Sequence, residues 1–266
     1  VKRIGEEAFR ECVNLTSVTI PGTLTNIEKQ TFYGCTGLTD VTIKNGVRSI
    51  GEKAFWGCDS LTSVDIPDSL ISIGEMAFLS CSSLSNLTIP SGVTSIGGRA
   101  FSGCSSLAGV TIPSGVTGIG SSAFYACTGL IRVTIQNGVE SIGEEAFSGC
   151  SSLTSVDIPD SVTSIGASAF HSCGGLTGVM IPDSVTSIGN AAFSDCTKLT
   201  SVDIPNSVTS IGTSVFNGCR SLTSAGIPIS VTNIGDYAFY RCTRLADVYY
   251  GGSAEQWGQI TIGTYN

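Results

Sequence analysis

Hydrophobic positions return along this chain with a period of 23 residues, and one period is enough to read the pattern. From Leu61 to Cys81 the chain runs LTSVDIPDSLISIGEMAFLSC. Leu61, Val64 and Ile66 follow an L-x-x-V-x-I spacing, which predicts a short strand with alternate residues facing inward. Pro67 ends that strand by removing a ladder donor, and Asp68-Ser69 supplies turn chemistry. Leu70 and Ile73 begin a second extended piece, closed by Gly74. Over Glu75 to Cys81, Ala77, Phe78 and Cys81 point inward at a spacing that predicts a single helical or 3₁₀ turn. Eight columns are then core: Leu, Val, Ile, Val/Leu, Ile, Ala, Phe and Cys.

The register is unbroken. All eleven cysteines, from Cys12 through Cys35 and Cys58 to Cys242, are 23 residues apart, and all eleven phenylalanines, Phe9 to Phe239, stand three residues before a cysteine. A period in this range means stacked supersecondary units that bury their apolar faces against one another. Lys44 and Gln136 replace the corner proline, and each is followed by Asn-Gly (Asn45-Gly46, Asn137-Gly138), which keeps the turn through a positive φ. These two coils are four repeats apart, a trace of block duplication.

Charged residues are only 13% of the chain, about half the usual share. Stacking explains this, because like charges in successive coils would sit about 4.8 Å apart whereas Ser and Thr can donate to one neighbour and accept from the other. A net charge of -8 argues against nucleic acid, whose backbone calls for clustered Lys and Arg. No apolar run reaches membrane-helix length. The chain opens at Val1 inside a repeat and without Met, as an excised segment would, so the lack of a targeting signal carries no information.

Cysteine spacing excludes zinc motifs, which need paired short separations, and parallel Cα–Cβ vectors in a stack are a poor start for disulfides. The expectation is a column of buried free thiols. His171, the one histidine, has no second imidazole for a metal site and no nominated nucleophile to activate; it is expected to face solvent. The Gly pairs Gly97-Gly98 and Gly174-Gly175 lack the strand–loop–helix setting of a phosphate cradle. Asn14-Leu15-Thr16 and Asn86-Leu87-Thr88 match the glycosylation pattern by chance. No cofactor is expected.

The consensus L-x-x-V-x-I-P-x-S-V-T-S-I-G-x-x-A-F-x-x-C resembles the BspA-like leucine-rich repeats, over nearly the whole chain. That resemblance implies a leucine-rich repeat solenoid of the β-rich α/β class: a right-handed curved stack of 23-residue coils with a parallel sheet on its concave face. It also implies a non-enzymatic protein, extracellular or at a cell surface, used in adhesion or host-protein binding, with host extracellular matrix or another cell surface as the kind of partner and no catalytic motif to transfer. A structural spacer is the alternative; carbohydrate and ice binding are remoter ones. Residues 1–248 are expected to form the solenoid, about eleven coils with the first incomplete, and 249–266 a C-terminal cap. There Tyr249, Tyr250 and Gly251-Gly252 depart from the repeat, Ser253-Ala-Glu-Gln256 has the form of a capping box, and Trp257, Ile260 and Ile262 are expected to cover the last coil. An aromatic ligand site at Tyr249, Tyr250 and Trp257 is the weaker reading of that segment.

Two surfaces are candidates for partner binding. On the concave face the outward columns are mostly Thr and Ser, and their departures are Asp65, Asp157, Met180 and Asp203, with Ile131 and Arg132 beside them. On the outer face Tyr33, Trp56 and Leu79 follow one another between the Phe and Cys columns and form the alternative patch, three exposed apolar groups in a row.

Overall fold

The computed structural model describes residues 3–266, and it is a solenoid. Most coils contribute a strand of up to four residues, such as Asp40–Ile43, a two-residue strand, such as Ser49–Ile50, and a run of turns that returns the chain. Equivalent strands pair in parallel and in register, Val41 with Val18 and Val64, Ile50 with Ile27 and Ile73. The eight predicted core columns are buried along the stack; in the specimen coil only Ile66 is half-buried. Ten consecutive phenylalanine pairs stack with ring centroids 5.1–5.7 Å apart and planes within 18° of parallel. Equivalent groups on hydrogen-bonded strands repeat at about 4.8 Å. The wider spacing on the Phe side bends the body so that the strands lie on the inside of the curve.

The turn segment is not the helical or 3₁₀ turn expected. Over Glu75–Cys81 the backbone N–H groups alternate in destination. Those of Ala77, Leu79 and Cys81 donate three residues back within the coil, while those of Met76, Phe78 and Ser80 donate to the next coil, at Gly98, Ala100 and Ser102. A helix would direct every N–H along its own axis and leave the neighbouring coil unpaired. The alternation requires a left-handed residue twice per coil, and φ is +55° at Met76 and +62° at Ser80. The first of these columns (Gln30, Lys53, Met76, Arg99, Ser122) contains no glycine. Its backbone bonds to the next coil offset the intrinsic cost of that conformation.

The cysteine column does more than fill space. From Cys35 to Cys242 each Sγ donates to the carbonyl of the phenylalanine 26 residues earlier, at 3.0–3.3 Å. The same carbonyls accept the cysteine N–H of their own coil, as Phe55 does from Cys58 at 3.2 Å. All eleven thiols are free, and those from Cys35 to Cys219 are buried. The expected hydroxyl ladder also takes a different form. Thr39, Thr62, Thr154 and Thr200 donate to a backbone carbonyl of the preceding coil, at 2.9–3.2 Å, and not to its hydroxyl.

Proline sets strand length on the concave face. Where Lys44, Gln136 and Gly251 stand in its place, their N–H adds a rung to Ile20, Ile112 and Ile227 at 2.9–3.0 Å. The four-residue strands are the pairs flanking those rungs: Ser17–Ile20 with Asp40–Ile43, Gly109–Ile112 with Arg132–Ile135, and Ser224–Ile227 with Asp247–Tyr250. Ser63–Asp65, Ser155–Asp157 and Ser201–Asp203, in proline-closed coils outside those pairs, keep three residues. At residues 86–89 and 178–181 no extended strand forms, and the concave sheet divides into three sheets of three strands. The Asn-Gly corners take the positive φ expected, +115° at Gly46 and +112° at Gly138.

The second sheet runs through eight coils, from Asn26–Ile27 to Ser187–Ile188, then stops and restarts at Ser210–Ile211. Between those last two strands neither sheet is continuous. At the C-terminus Ser253 caps a helix over Ala254–Trp257 with the reciprocal bonds of a capping box. Beyond it the chain re-enters the register with five extra residues: Ile262 pairs with Ile234 and Tyr265 takes the left-handed φ of Tyr237. Tyr250, Trp257 and Ile260 pack on the core. Ile262, seated against Ile234 of the last coil, stays 46% exposed.

Candidate functional site

The concave residues singled out in the sequence all stand on the surface. Asp65, Asp157 and Asp203 are the last residues of the three short strands, so each borders a break in the sheet, and Met180 lies in the second break between Asp157 and Asp203. Met180 is 84% exposed and Ile131 51%, large values for apolar side chains projecting from a sheet. Arg132 opens its strand with Gly109 on one side and Ser155 on the other. These residues are spread over several coils along the face, and Ile131 and Arg132 alone are chain neighbours.

The first break also opens a cleft. Leu87, Thr88, Gly109, Val110, Thr111 and Arg132 line a cavity of about 380 Å³. Gly109 contributes no side chain where Arg132 and Ser155 project, and this lowers the wall between adjacent coils. The expected rank of Thr hydroxyls is therefore interrupted, by loss of the strand as well as by Asp, Arg and Met. A flat regular array for ice is not what the face presents.

The outer patch is less exposed than the sequence implied. Tyr33, Trp56 and Leu79 are half-buried. Tyr33 and Trp56 lie 5.3 Å apart at 58°, with the Arg10 guanidinium 4.9 Å above Tyr33 and the Lys53 ammonium 5.5 Å from Trp56. Lys53 also pairs with Glu52, which Lys29 holds from the other side at 2.8 Å, and the two ammonium groups keep the Glu52 carboxyl below its ordinary pKa. Cations and rings thus cover each other by the attraction of charge for the ring face. His171 does not face solvent as expected: it is half-buried, its Nε2 3.1 Å from Ser172 Oγ and its Nδ1 enclosed without a partner. Its column neighbours Ser148 and Ser194 are small and buried, which leaves room for the ring to lie down.

At the C-terminal end Tyr249 is 64% exposed on the concave side. Tyr250 and Trp257 contact each other at 5.2 Å, nearly edge to face. Among the described residues, no group of three or more His, Cys, Asp or Glu is placed to hold a metal ion, and no helix is long and apolar enough to cross a membrane.

A parallel-stranded stack with a buried Phe column and one strand per coil on the inner curve defines the class: a leucine-rich repeat solenoid. The chain matches the description "BspA type Leucine rich repeat region" in six copies, over residues 2–131 and 117–246, and it belongs to that family. Its fold is similar to a leucine-rich repeat protein of Bacteroides ovatus, at 31% identity and a TM-score of 0.80, covering 94% of this chain and 72% of that one. A leucine rich cell surface protein of Faecalibacterium prausnitzii is 34% identical with a TM-score of 0.53, covering 93% and 82%. A leucine-rich repeat protein of T. pallidum is also 34% identical, over 58% of this chain and 72% of that one, with a TM-score of 0.55. Among curated proteins none matches. The repeat fold is generally a non-enzymatic scaffold for contacts with other proteins.

Proposed function

We propose that this chain is the protein-binding part of a cell-surface or secreted protein, used in adhesion or in binding a host protein through the concave face. The observation that carries this reading is the pattern of departures on that face. Core columns repeat because each coil must fit its neighbour, but outward concave positions bear no such load. There Ile131 and Met180 hold apolar side chains in water, at some cost to solubility, beside Arg132 and three aspartates. Exposed apolar groups framed by charge are the composition of a contact surface. The likeness to a protein described as a leucine rich cell surface protein supports the placement.

The test is capture from serum and from extracellular-matrix extracts, with the wild-type chain and two sets of variants. Met180→Thr, or Ile131→Ser with Arg132→Ser, is expected to reduce capture about fivefold or more while stability moves by no more than about 0.5 kcal/mol, as exposed substitutions do. Trp56→Ser with Tyr33→Ser tests the outer face. Loss of capture from that pair alone would move the site there. Indifference to every variant would leave a spacer that projects another domain.

A further inference from the structure

We propose that the cleft at the first break in the concave sheet is a carboxylate-binding site, and that its occupant is a peptide carboxylate carried on an apolar or aromatic frame. This rests on the reading of the concave face as a protein-binding surface and specifies the chemistry of one place on it.

Arg132 is the one cation in the outward columns of this sheet, on a chain of net charge -8. Among the described residues it has no carboxylate within ion-pair distance, although Arg10, Lys29 and Lys53 on the outer face all do. Asp157 pairs with Thr134 and lies diagonally from Arg132 across the strand pair. Thr111, diagonal to Arg132 on the Gly109 strand, and Thr88, one coil further, line the same cleft, and no side-chain hydrogen bond engages their hydroxyls among the described residues.

The cleft therefore gathers a planar cation and two hydroxyl donors around a space of about 380 Å³, over a floor of half-buried Leu87 and buried Val110. A guanidinium fork matches a carboxylate in two parallel hydrogen bonds. The apolar floor favours a ligand whose carboxylate comes attached to a hydrocarbon or ring. A chain end and an acidic side chain present the same group, and the cleft geometry suits either.

The experiment titrates the whole chain, labelled for amide NMR, with N-acetylphenylalanine, its uncharged amide, N-acetylaspartate amide and glucuronate. The expected result is saturable shifts at Gly109, Val110, Thr111 and Arg132 with N-acetylphenylalanine or N-acetylaspartate amide, and none with the uncharged amide. Which of the two responds more strongly distinguishes a chain end from a side chain. Arg132→Gln is expected to weaken binding about fivefold or more, the loss of a charged hydrogen bond in partial contact with water. Gly109→Val should do the same with the charge intact, by filling the notch; a Cβ at Gly109 meets nothing nearer than the Arg132 carbonyl at 3.7 Å, and circular dichroism checks that the variant is folded. Equal response to the acid and its amide, or unchanged binding in both variants, overturns the proposal. A response to glucuronate alone also overturns it, since the site would then read a sugar acid. Flat titrations beside intact capture from serum would remove the carboxylate cleft and leave the protein-binding reading in place.

Discussion

Raising the pH should unfold this protein through its cysteine column. Burial pushes the thiols of Cys58, Cys81, Cys104, Cys127, Cys150, Cys173, Cys196 and Cys219 up from their ordinary range, those of Cys127 and Cys196 to about 12. The folded stack holds them neutral, whereas in the unfolded chain they ionise near pH ~8.5. Stability from the neutral column is complete below that value and is lost as pH climbs above it toward the folded values. At about pH 9.5 each thiol that stays neutral when folded and ionises when unfolded lowers stability by about 1.4 kcal/mol. The eight together reach on the order of 10 kcal/mol, comparable to the whole stability of an ordinary domain. The assay is a pH titration with reductant present, following thiolate ultraviolet absorbance and circular dichroism on the same sample. Both signals should stay flat to about pH 8.5 and then change in one step. Cys127→Ala should lessen the loss between neutral pH and about pH 9.5 by about 1.4 kcal/mol, the share of one thiol. Thiolate absorbance that grows while the dichroism stays native would refute the reasoning, because the column would then be ionising in place.

Phe124→Ala, which opens a hole in the middle of the ring stack, should cost about 3–5 kcal/mol in a denaturant melt. Gly138→Ala should destabilise by more than 1 kcal/mol or so, since φ there is +112° and a Cβ would meet the Ser114 carbonyl; Gly109→Ala, with no such contact, should change little. Small-angle scattering should report an elongated, curved particle and not the compact radius of an ordinary domain of this length.

The core was legible because each coil must bury the same face, and Leu61, Val64, Leu70, Ile73, Ala77, Phe78 and Cys81 announce it at fixed spacing. The Asn-Gly corners were legible for a similar reason, since they carry their φ in their residue types. The turn run was not. Met76 and its column hold Glu, Gln, Lys, Arg, Ser, Ala and Tyr, and nothing in those residues marks a left-handed backbone imposed by bonds to the next coil. The neighbouring column has glycine at Gly34, Gly57, Gly103, Gly149 and Gly218, a signal that could have been taken. The sheet breaks were hidden because Leu87-Thr88-Ile89 reads as a strand by itself. The cleft beside Arg132 went unread with it: the residue could be picked out as a departure from the repeat, but the opening it faces exists only because a strand is missing. Likewise the five-residue insertion that carries the cap helix conceals the return of the repeat at Gly263 and Tyr265.

The place between Ser187–Ile188 and Ser210–Ile211, where both sheets stop, has a mechanical consequence. Across it the ladder survives along the outer curve, while the rest of the coil keeps scattered links, Thr200 N–H and Oγ1 to the Thr177 carbonyl and Ser207 Oγ to the Val185 carbonyl. Ala191, Phe193 and Asp195 donate to Thr213, Val215 and Asn217, Cys219 reaches the Phe193 carbonyl, and the Phe193–Phe216 rings stand 5.7 Å apart, the widest step in the column. Links concentrated on one edge resist shear better than opening from the opposite edge, so the molecule can flex there as a door does on its hinge. In a linear stack each interface carries its own share of cooperativity, and the weakest decides where the chain divides. Pulled from its two ends, the protein should part first at this step, the last coils coming away as a block while the longer part holds.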